Sequence, residues 1–345
     1  MHRLNTPPVG IKAQCDTVVI CRYQYDTMKT RKQSDLSFNN SIRSIDNSTR
    51  TLMSMVMTTV PIRYNDNQHP WTLGILRRLA AWQGHRCRQV YEHVEHFVAF
   101  VGSSRSGSTL IGALLDAHPE VVIGHEANAF GCVRDGLDRE GLYWFLMRNS
   151  QGFAKTGAEW TDYKYAVPDQ WQGRVQKLRI IGDKKASATT RQLTDDPDLL
   201  NRLVRTVGVP VSLIHTIRNP FDVLATRFRR SPNFSLMDHS EKFFQQCDTL
   251  KKLKTGNAPP NMIDVYHEEL IRNPEKELRR LLTLTGAELD DNYLASASAI
   301  VNDRPNQSRH SCDWTAEQIR LIERRMDEYE FLSCYSFDDG GIAAA

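Results

Sequence analysis

Neither sign of charge dominates this chain. Its 345 residues hold 44 Lys and Arg against 41 Asp and Glu, a net charge of +3 with His neutral. No global basic field points to nucleic acid, so any anion has to be bound by a local cluster. Cysteine is sparse and scattered, at Cys15, Cys21, Cys87, Cys132, Cys247, Cys312 and Cys334, with no C-x-x-C spacing. The odd count leaves at least one thiol unpaired, and a reduced compartment is the simpler expectation. Four N-x-[ST] sequons, at Asn39, Asn47, Asn233 and Asn306, stand on the other side, but a chain of this composition shows a few by chance. Long apolar runs are missing too. The stretch Leu52 to Ile62 contains Ser, Thr and Pro and falls far short of the ~20 residues that a membrane span needs. No charged n-region followed by an apolar h-region opens the chain. The expected location is therefore cytoplasmic; a site in the Golgi lumen would need an anchor outside this sequence. There is no internal repeat and no heptad array.

What is present divides unevenly. Residues 1–68 are rich in Ser, Thr, Asn, Asp and basic residues without sustained periodicity, which predicts a disordered tail. Residues 69–93 form a lead-in, with an amphipathic helix expected over Trp71 to Val90. From 94 to 335, short β-rich runs alternate with helical ones, the pattern of an α/β domain around a mostly parallel sheet. The strand candidates are His96–Val101, Val121–Gly124, Lys177–Ile181, Val209–Ile217 and Met262–Tyr266. Helices are expected at Ser108–Ala117, Pro197–Thr206, Pro220–Phe228, Ser240–Leu253, Pro274–Thr285 and Thr315–Tyr329. Residues 336–345 read as a flexible tail. One segment breaks the alternation. Residues 141–176 carry Tyr143, Trp144, Phe145, Phe153, Trp160, Tyr163, Tyr165 and Trp171 without a clear period. Such an excursion reads either as a lid or binding loop, or as aromatics closing a satellite core.

Two loops carry the chemistry. The first, Gly102-Ser-Ser-Arg-Ser-Gly107-Ser-Thr109, lies between a buried-strand candidate and a helix whose Leu110, Ile111, Leu114 and Leu115 share a face. Strand, glycine-rich loop and helix together aim backbone N–H groups and a helix N-terminus at a phosphate. Two glycines separated by four residues match the start of a Walker A loop. The match then fails, because Ser108 stands where that motif requires Lys, and a cation, Arg105, sits inside the loop instead. A nucleoside-triphosphate enzyme needs that Lys on its β/γ-phosphates.

The second loop follows the strand Val211 to Ile217 and reads Arg218-Asn219-Pro220-Phe221-Asp222, with Thr226 one turn on. Pro220 suits a first helical position, so Arg218 lies at the carboxyl edge of the sheet, where open α/β sheets bind ligands. Arg218 is placed either to grip a phosphate bidentately or to pair with Asp222. Two more strand ends reach the same edge. Glu126 closes Val121 to His125, with His125 alternating to the opposite face. Lys184 follows the run ending at Ile181. Asp183 beside it leaves open a Walker B-type metal site.

The two loops together resemble the 5′-phosphosulfate and 3′-phosphate loops of sulfotransferases that use 3′-phosphoadenosine 5′-phosphosulfate (PAPS). Ser104-Arg-Ser-Gly-Ser-Thr-Leu-Ile and Leu115-Asp-Ala-His-Pro-Glu120 resemble the tyrosylprotein and carbohydrate branch in particular; the cytosolic branch typically has Lys where this chain has Arg105. The resemblance spans roughly residues 96–330 and implies a P-loop-type three-layer α/β/α fold. It implies that Arg105, Ser106, Gly107, Ser108 and Thr109 hold the phosphosulfate, and that Arg218 and Thr226 hold the 3′-phosphate. It further implies Glu126, which falls 21 residues after Arg105, as catalytic base, and Lys184 as the cation at the sulfonyl group and bridging oxygen, with Arg105 assisting. Ser308-Arg309-His310 resembles a loop that closes over the nucleotide. The expected partners are the PAPS co-substrate and an acceptor hydroxyl on a carbohydrate, a tyrosine or a small molecule. No metal, nucleic acid or membrane is expected, and nothing in the sequence bears on assembly state. Two other readings remain at this level: a P-loop phosphotransferase of atypical loop, and a non-catalytic binder of PAPS or its product.

Overall fold

A computed structural model describes residues 70–338 except 162 and 257–260. The tail expected over 1–68 lies outside the described residues. The chain enters through α1 (Pro70–Arg86) and the short α2 (Arg88–Tyr91). α1 buries Leu76, Leu79 and Ala80. Then comes β1 (His96–Gly102), followed by α3 (Ser108–Asp116) and β2 (Val121–His125). Phe97 to Val101 are all buried, because side chains alternate between the two faces of a sheet covered on both sides. That is why β1 reads as a continuous apolar run rather than an alternating one.

After β2 the chain forms α4 (Ala129–Arg134), α5 (Arg139–Lys155) and a small hairpin, β3 (Glu159–Trp160) with β4 (Tyr163–Lys164). It then returns as β5 (Ile180–Lys184), α6 (Ala186–Asp195), α7 (Leu199–Val207) and β6 (Val211–Ile217). α8 (Pro220–Arg230), α9 (Leu236–Thr255) and β7 (Asn261–Tyr266) follow. Last are α10 (His267–Arg272), α11 (Pro274–Thr285), α12 (Asp291–Ala299), a 3₁₀ turn (Ser308–Ser311) and α13 (Ala316–Met326).

The main sheet is five-stranded and parallel throughout, in the order β2-β5-β1-β6-β7. On one face Val98, Phe100, Ile214 and Val265 meet Ile111 and Leu114 of α3, Leu281 of α11 and Tyr293 of α12. α6 and α9 pack against β1 from the other side. The result is a three-layer α/β architecture. β1 is central, and its successors lie on opposite sides of it, which makes its carboxyl end the topological switch point.

Three expectations need correction. The strand expected over Lys177–Ile181 begins at Ile180 and runs to Lys184, because pairing with β1 starts at His96 opposite Ile180. Arg179, just before it, is spent on ion pairs to Glu95 and Glu120. The excursion 141–176 is not one loop. Its first part belongs to α5, capped by Asp138, whose carboxylate accepts from the Gly141 N–H at 2.9 Å. Tyr143, Trp144 and Phe145 are buried there, so the first half of the aromatic stretch is core; its helical period is blurred because several faces of α5 are covered. Only 156–176 is turn, hairpin and loop. Finally, the C-terminal tail expected from 336 is still packed at its start. Phe337 stands edge-on to Phe221 at 5.1 Å, and the Ser336 carbonyl accepts from the Asn219 side chain at 2.9 Å.

Candidate active site

The first loop leaves β1 at Gly102, whose φ of 121° is open to glycine alone, and closes at Gly107, φ 91°, the N-cap of α3. Between them Arg105 holds a left-handed φ of 74°, a conformation that a non-glycine residue keeps only where its surroundings enforce it. Several bonds enforce it here. The buried Ser106 hydroxyl donates to the Ser103 carbonyl at 2.6 Å and shares a hydrogen bond with Thr216 Oγ1 at 2.7 Å. The Gly102 N–H donates to Thr190 Oγ1 at 2.8 Å. The loop is thus fastened to β6 and α6 before any ligand arrives. Ser106, one of the expected anion ligands, spends its hydroxyl inside the loop and has its backbone left to offer.

Register brings the carboxyl-edge groups together. β2 and β5 pair with His125 opposite Lys184, and the Glu126 N–H donates to the Lys184 carbonyl at 3.0 Å. Glu126 turns into a left-handed φ of 59°, which directs its side chain back over the strand end. The Lys184 ammonium then lies 2.6 Å from Glu126 Oε1 and 3.1 Å from Thr109 Oγ1 on the first turn of α3. Lys184 is 1% exposed and the Glu126 side chain 29%, so the cation is held from inside while the carboxylate faces outward. Gly112 lets the lysine stem pass, since a Cβ there would sit 2.9 Å from Lys184 Cγ.

Asp183 goes elsewhere. Its two oxygens accept from the Ala127 N–H at 3.0 Å and the Ala129 N–H at 2.7 Å, and burial raises its pKa to about 6. Both carboxylate oxygens are committed to shaping the turn after Glu126, which is not the donor set of a Walker B metal site. His125 is stacked 3.9 Å from the Phe153 ring.

At the second loop, Arg218 Nη1 donates to the Arg105 carbonyl at 3.1 Å, and Nη2 donates to the Asn306 carbonyl. Its Nε is buried with no hydrogen-bond partner among the described residues. Asp222 does not pair with Arg218. Its carboxylate meets Arg309 at 2.7 Å and also accepts the Arg309 N–H at 2.8 Å, with both side chains almost wholly buried. The segment Ser308–His310 is thereby tied to α8, and Arg309 faces protein rather than a ligand cleft. Thr226 spends its hydroxyl proton on the Asp222 carbonyl at 2.8 Å, which leaves its oxygen lone pairs but no donor to offer.

Two residues of this edge were not singled out from the sequence. His267, first in α10, buries an Nδ1 that has no partner among the described residues. A Cβ on Gly107 would lie 2.3 Å from that atom, and burial, followed by the nearby Arg218, pushes the imidazole pKa down to about 3. Arg227 sits under the first loop, donating to Ser103 Oγ at 2.6 Å and Ser104 Oγ at 3.1 Å. A single strand-end histidine or a second arginine on a helix carries no spacing signal, so only the fold reveals them. The carboxyl edge gathers Arg105, Arg218, Arg227 and Lys184, with Glu126 as the carboxylate bonded to Lys184.

Comparison with known proteins bears on this arrangement. A profile described as "Sulfotransferase family" matches residues 211–291, the stretch that holds Arg218, Arg227 and His267. The chain is 23% identical over 257 residues to a "Putative protein-tyrosine sulfotransferase" of Caenorhabditis briggsae, across 71% of this chain and 83% of that protein. It is 24% identical over 236 residues to "Protein-tyrosine sulfotransferase A" of Caenorhabditis elegans, across 62% of this chain and 56% of that protein. Among solved structures, a sulfotransferase of Mycobacterium avium aligns over 86% of this chain and 93% of its own at 12% identity, with a TM-score of 0.42.

Proposed function

We propose that this chain, a member of the sulfotransferase family, takes its sulfonyl group from PAPS and delivers it to an acceptor hydroxyl at the edge formed by Glu126 and Lys184. The observation that carries the reading is the convergence of three separate elements on one point: Thr109 from the first turn of α3, Lys184 from the end of β5 and Glu126 from the end of β2. The first loop, through Arg105, Gly107, Ser108, Thr109 and the backbone of Ser106, receives the phosphosulfate at the amino end of α3. Arg218, with Thr226 near it, receives the 3′-phosphate, which distinguishes this donor from ordinary adenine nucleotides.

In the reaction the acceptor oxygen attacks sulfur in line. The new O–S bond forms as the bond from sulfur to the bridging phosphate oxygen breaks, leaving a sulfate ester and adenosine 3′,5′-bisphosphate. Glu126 takes the acceptor's proton. Lys184, with Arg105, stabilises the negative charge that grows on the leaving oxygen. In the free protein the two reactive groups neutralise each other; a bound anion competes for the Lys184 ammonium and so frees the carboxylate to act as base. No divalent ion is assigned, in keeping with the commitment of Asp183 to backbone amides.

The relatives named as protein-tyrosine sulfotransferases make a tyrosyl peptide the first acceptor to test, and the hairpin segment 156–176 is the surface proposed to select it. The test has two parts. Adenosine 3′,5′-bisphosphate should raise the melting temperature more than ADP at equal concentration, each by its own RT ln(1 + [L]/Kd). Labelled PAPS should then transfer label to a tyrosyl peptide, a glycan pool or a small phenol without added Mg²⁺. Equal stabilisation by ADP, or transfer only from ATP with Mg²⁺, would replace the sulfotransferase reading with a phosphotransferase.

A further inference from the structure

We infer that Arg227 is a positioning residue for the donor anion: it polarises the Ser103 and Ser104 hydroxyls from beneath the first loop and finds its counter-charge only when that loop is occupied. The inference rests on the anion-binding reading of the loop.

Arg227 lies in the last turn of α8, and its three hydrogen-bond partners among the described residues are all neutral. They are Ser103 Oγ at 2.6 Å, Ser104 Oγ at 3.1 Å and Gln246 Oε1 at 3.0 Å. Gln246 is itself anchored, donating to Ser187 Oγ at 2.8 Å, so the guanidinium is clamped between α9 and the loop. Burial is the main influence lowering its pKa, to about 10; among the described residues the charged or ionisable groups acting on it are Cys247 and Arg105, with no carboxylate. The two fully buried cations among the described residues each have an acid at hand. Lys184 has Glu126 and Arg309 has Asp222. Arg227 instead shares its surroundings with a second cation.

A partly buried charge without an opposite charge still lowers stability, and an anion in the adjacent loop removes that penalty. The hydrogen-bond direction supports the same site. A guanidinium has donors only, so both serine oxygens accept from it. An oxygen that accepts from a cation becomes a stronger donor through its own proton. Ser103 passes its proton to the Ser104 carbonyl at 3.2 Å. Ser104 is partly exposed, and its hydroxyl proton is the one available to a ligand. The relay therefore runs from Arg227 through Ser104 to the anion.

This role and a purely structural one differ in sign. Replacement of a structural arginine lowers the stability of the free protein and spares affinity. For Arg227→Gln, which retains an amide donor, the free protein should melt at the same temperature as the parent or higher. Affinity for adenosine 3′,5′-bisphosphate and for inorganic pyrophosphate, measured by calorimetry, should fall about tenfold, or ~1.4 kcal/mol. Arg227→Lys should recover most of that loss by restoring the charge. Ser104→Ala should weaken binding alone but add little to Arg227→Gln, because the two act through one relay. Unchanged affinity in the glutamine variant overturns the inference. So does a glutamine variant that melts lower or fails to fold, since the argument requires the free protein to be no less stable without the charge. If the parent binds pyrophosphate in an Arg227-dependent way but does not bind the bisphosphate, the role of Arg227 stands and the PAPS reading falls.

Discussion

Replacing Glu126 by Gln separates chemistry from binding at this site. The carboxylate lies 2.6 Å from an ammonium that is 1% exposed, while its own side chain is 29% exposed. Breaking a fully buried pair costs about 3–5 kcal/mol. Here one partner reaches solvent and the amide oxygen still accepts from Lys184, so the expected loss is about 1–2 kcal/mol. For a body of this size that corresponds to a fall of roughly 2–8 °C in melting temperature. Affinity for adenosine 3′,5′-bisphosphate should stay level or rise, because a negative charge has been removed beside an anion site and Lys184 is no longer neutralised. Turnover should fall ~10²-fold or more, since the amide cannot accept the acceptor's proton. The assay is label transfer from PAPS at saturating donor, run beside calorimetric titration of the bisphosphate. A variant with parental turnover would refute the base assignment. A variant that loses affinity in step with turnover would show that Glu126 holds the loop rather than acting on the acceptor.

Three further outcomes are expected. Arg218→Ala should weaken bisphosphate binding roughly 10–100-fold, the worth of charge-assisted hydrogen bonds, with much less effect on ADP; equal losses for both in titration would move the 3′-phosphate site elsewhere. Asp222→Asn uncouples the buried Arg309 from its carboxylate and should cost about 3–5 kcal/mol of unfolding free energy, measured by urea denaturation; a loss under ~1 kcal/mol would show that the Ser308–Ser311 turn is held by other contacts. Asp116 is fully buried, accepts from the Ile123 N–H and the Ser150 hydroxyl, and has its pKa raised by burial to about 7. A folded-state pKa above the unfolded value of ~3.9 means that the native state binds the extra proton, so stability should decline as pH rises from about 4 to 7 and level off above. Asp116→Asn should flatten that part of the profile in melts across pH; an unchanged slope would assign it to other groups.

Much of the frame around the candidate site was legible in the chain. Pro220 and Asn219 mark the start of α8, and Gly102 and Gly107 mark the first loop, because backbone constraints of this kind are written into single residues. Buried parallel strands announce themselves as continuous apolar runs, and those at β1 and β6 are placed within two residues. Other features depend on covering partners. The α5 period is blurred because that helix is buried on several faces, so its aromatics read as a loop. α6, whose sequence includes Ala186-Ser-Ala-Thr-Thr-Arg, is rich in residues of middling helix propensity, and it forms against β1 with Thr190 bonded to Gly102.

The sequence by itself determined that a glycine-rich loop with an internal arginine follows a buried strand, and that Glu126, Lys184 and Arg218 lie at or just beyond strand ends of one sheet. These follow from period, turn chemistry and order along the chain, all of which are local. Only the tertiary structure decided which side chains remain available for a ligand. It assigned Asp222 to Arg309, Asp183 to two backbone amides and the Ser106 hydroxyl to the interior of its own loop, and it brought His267 and Arg227 to the same edge. Hydrogen-bond partners are fixed by distances across strands and helices far apart in the chain, and no spacing rule carries that information.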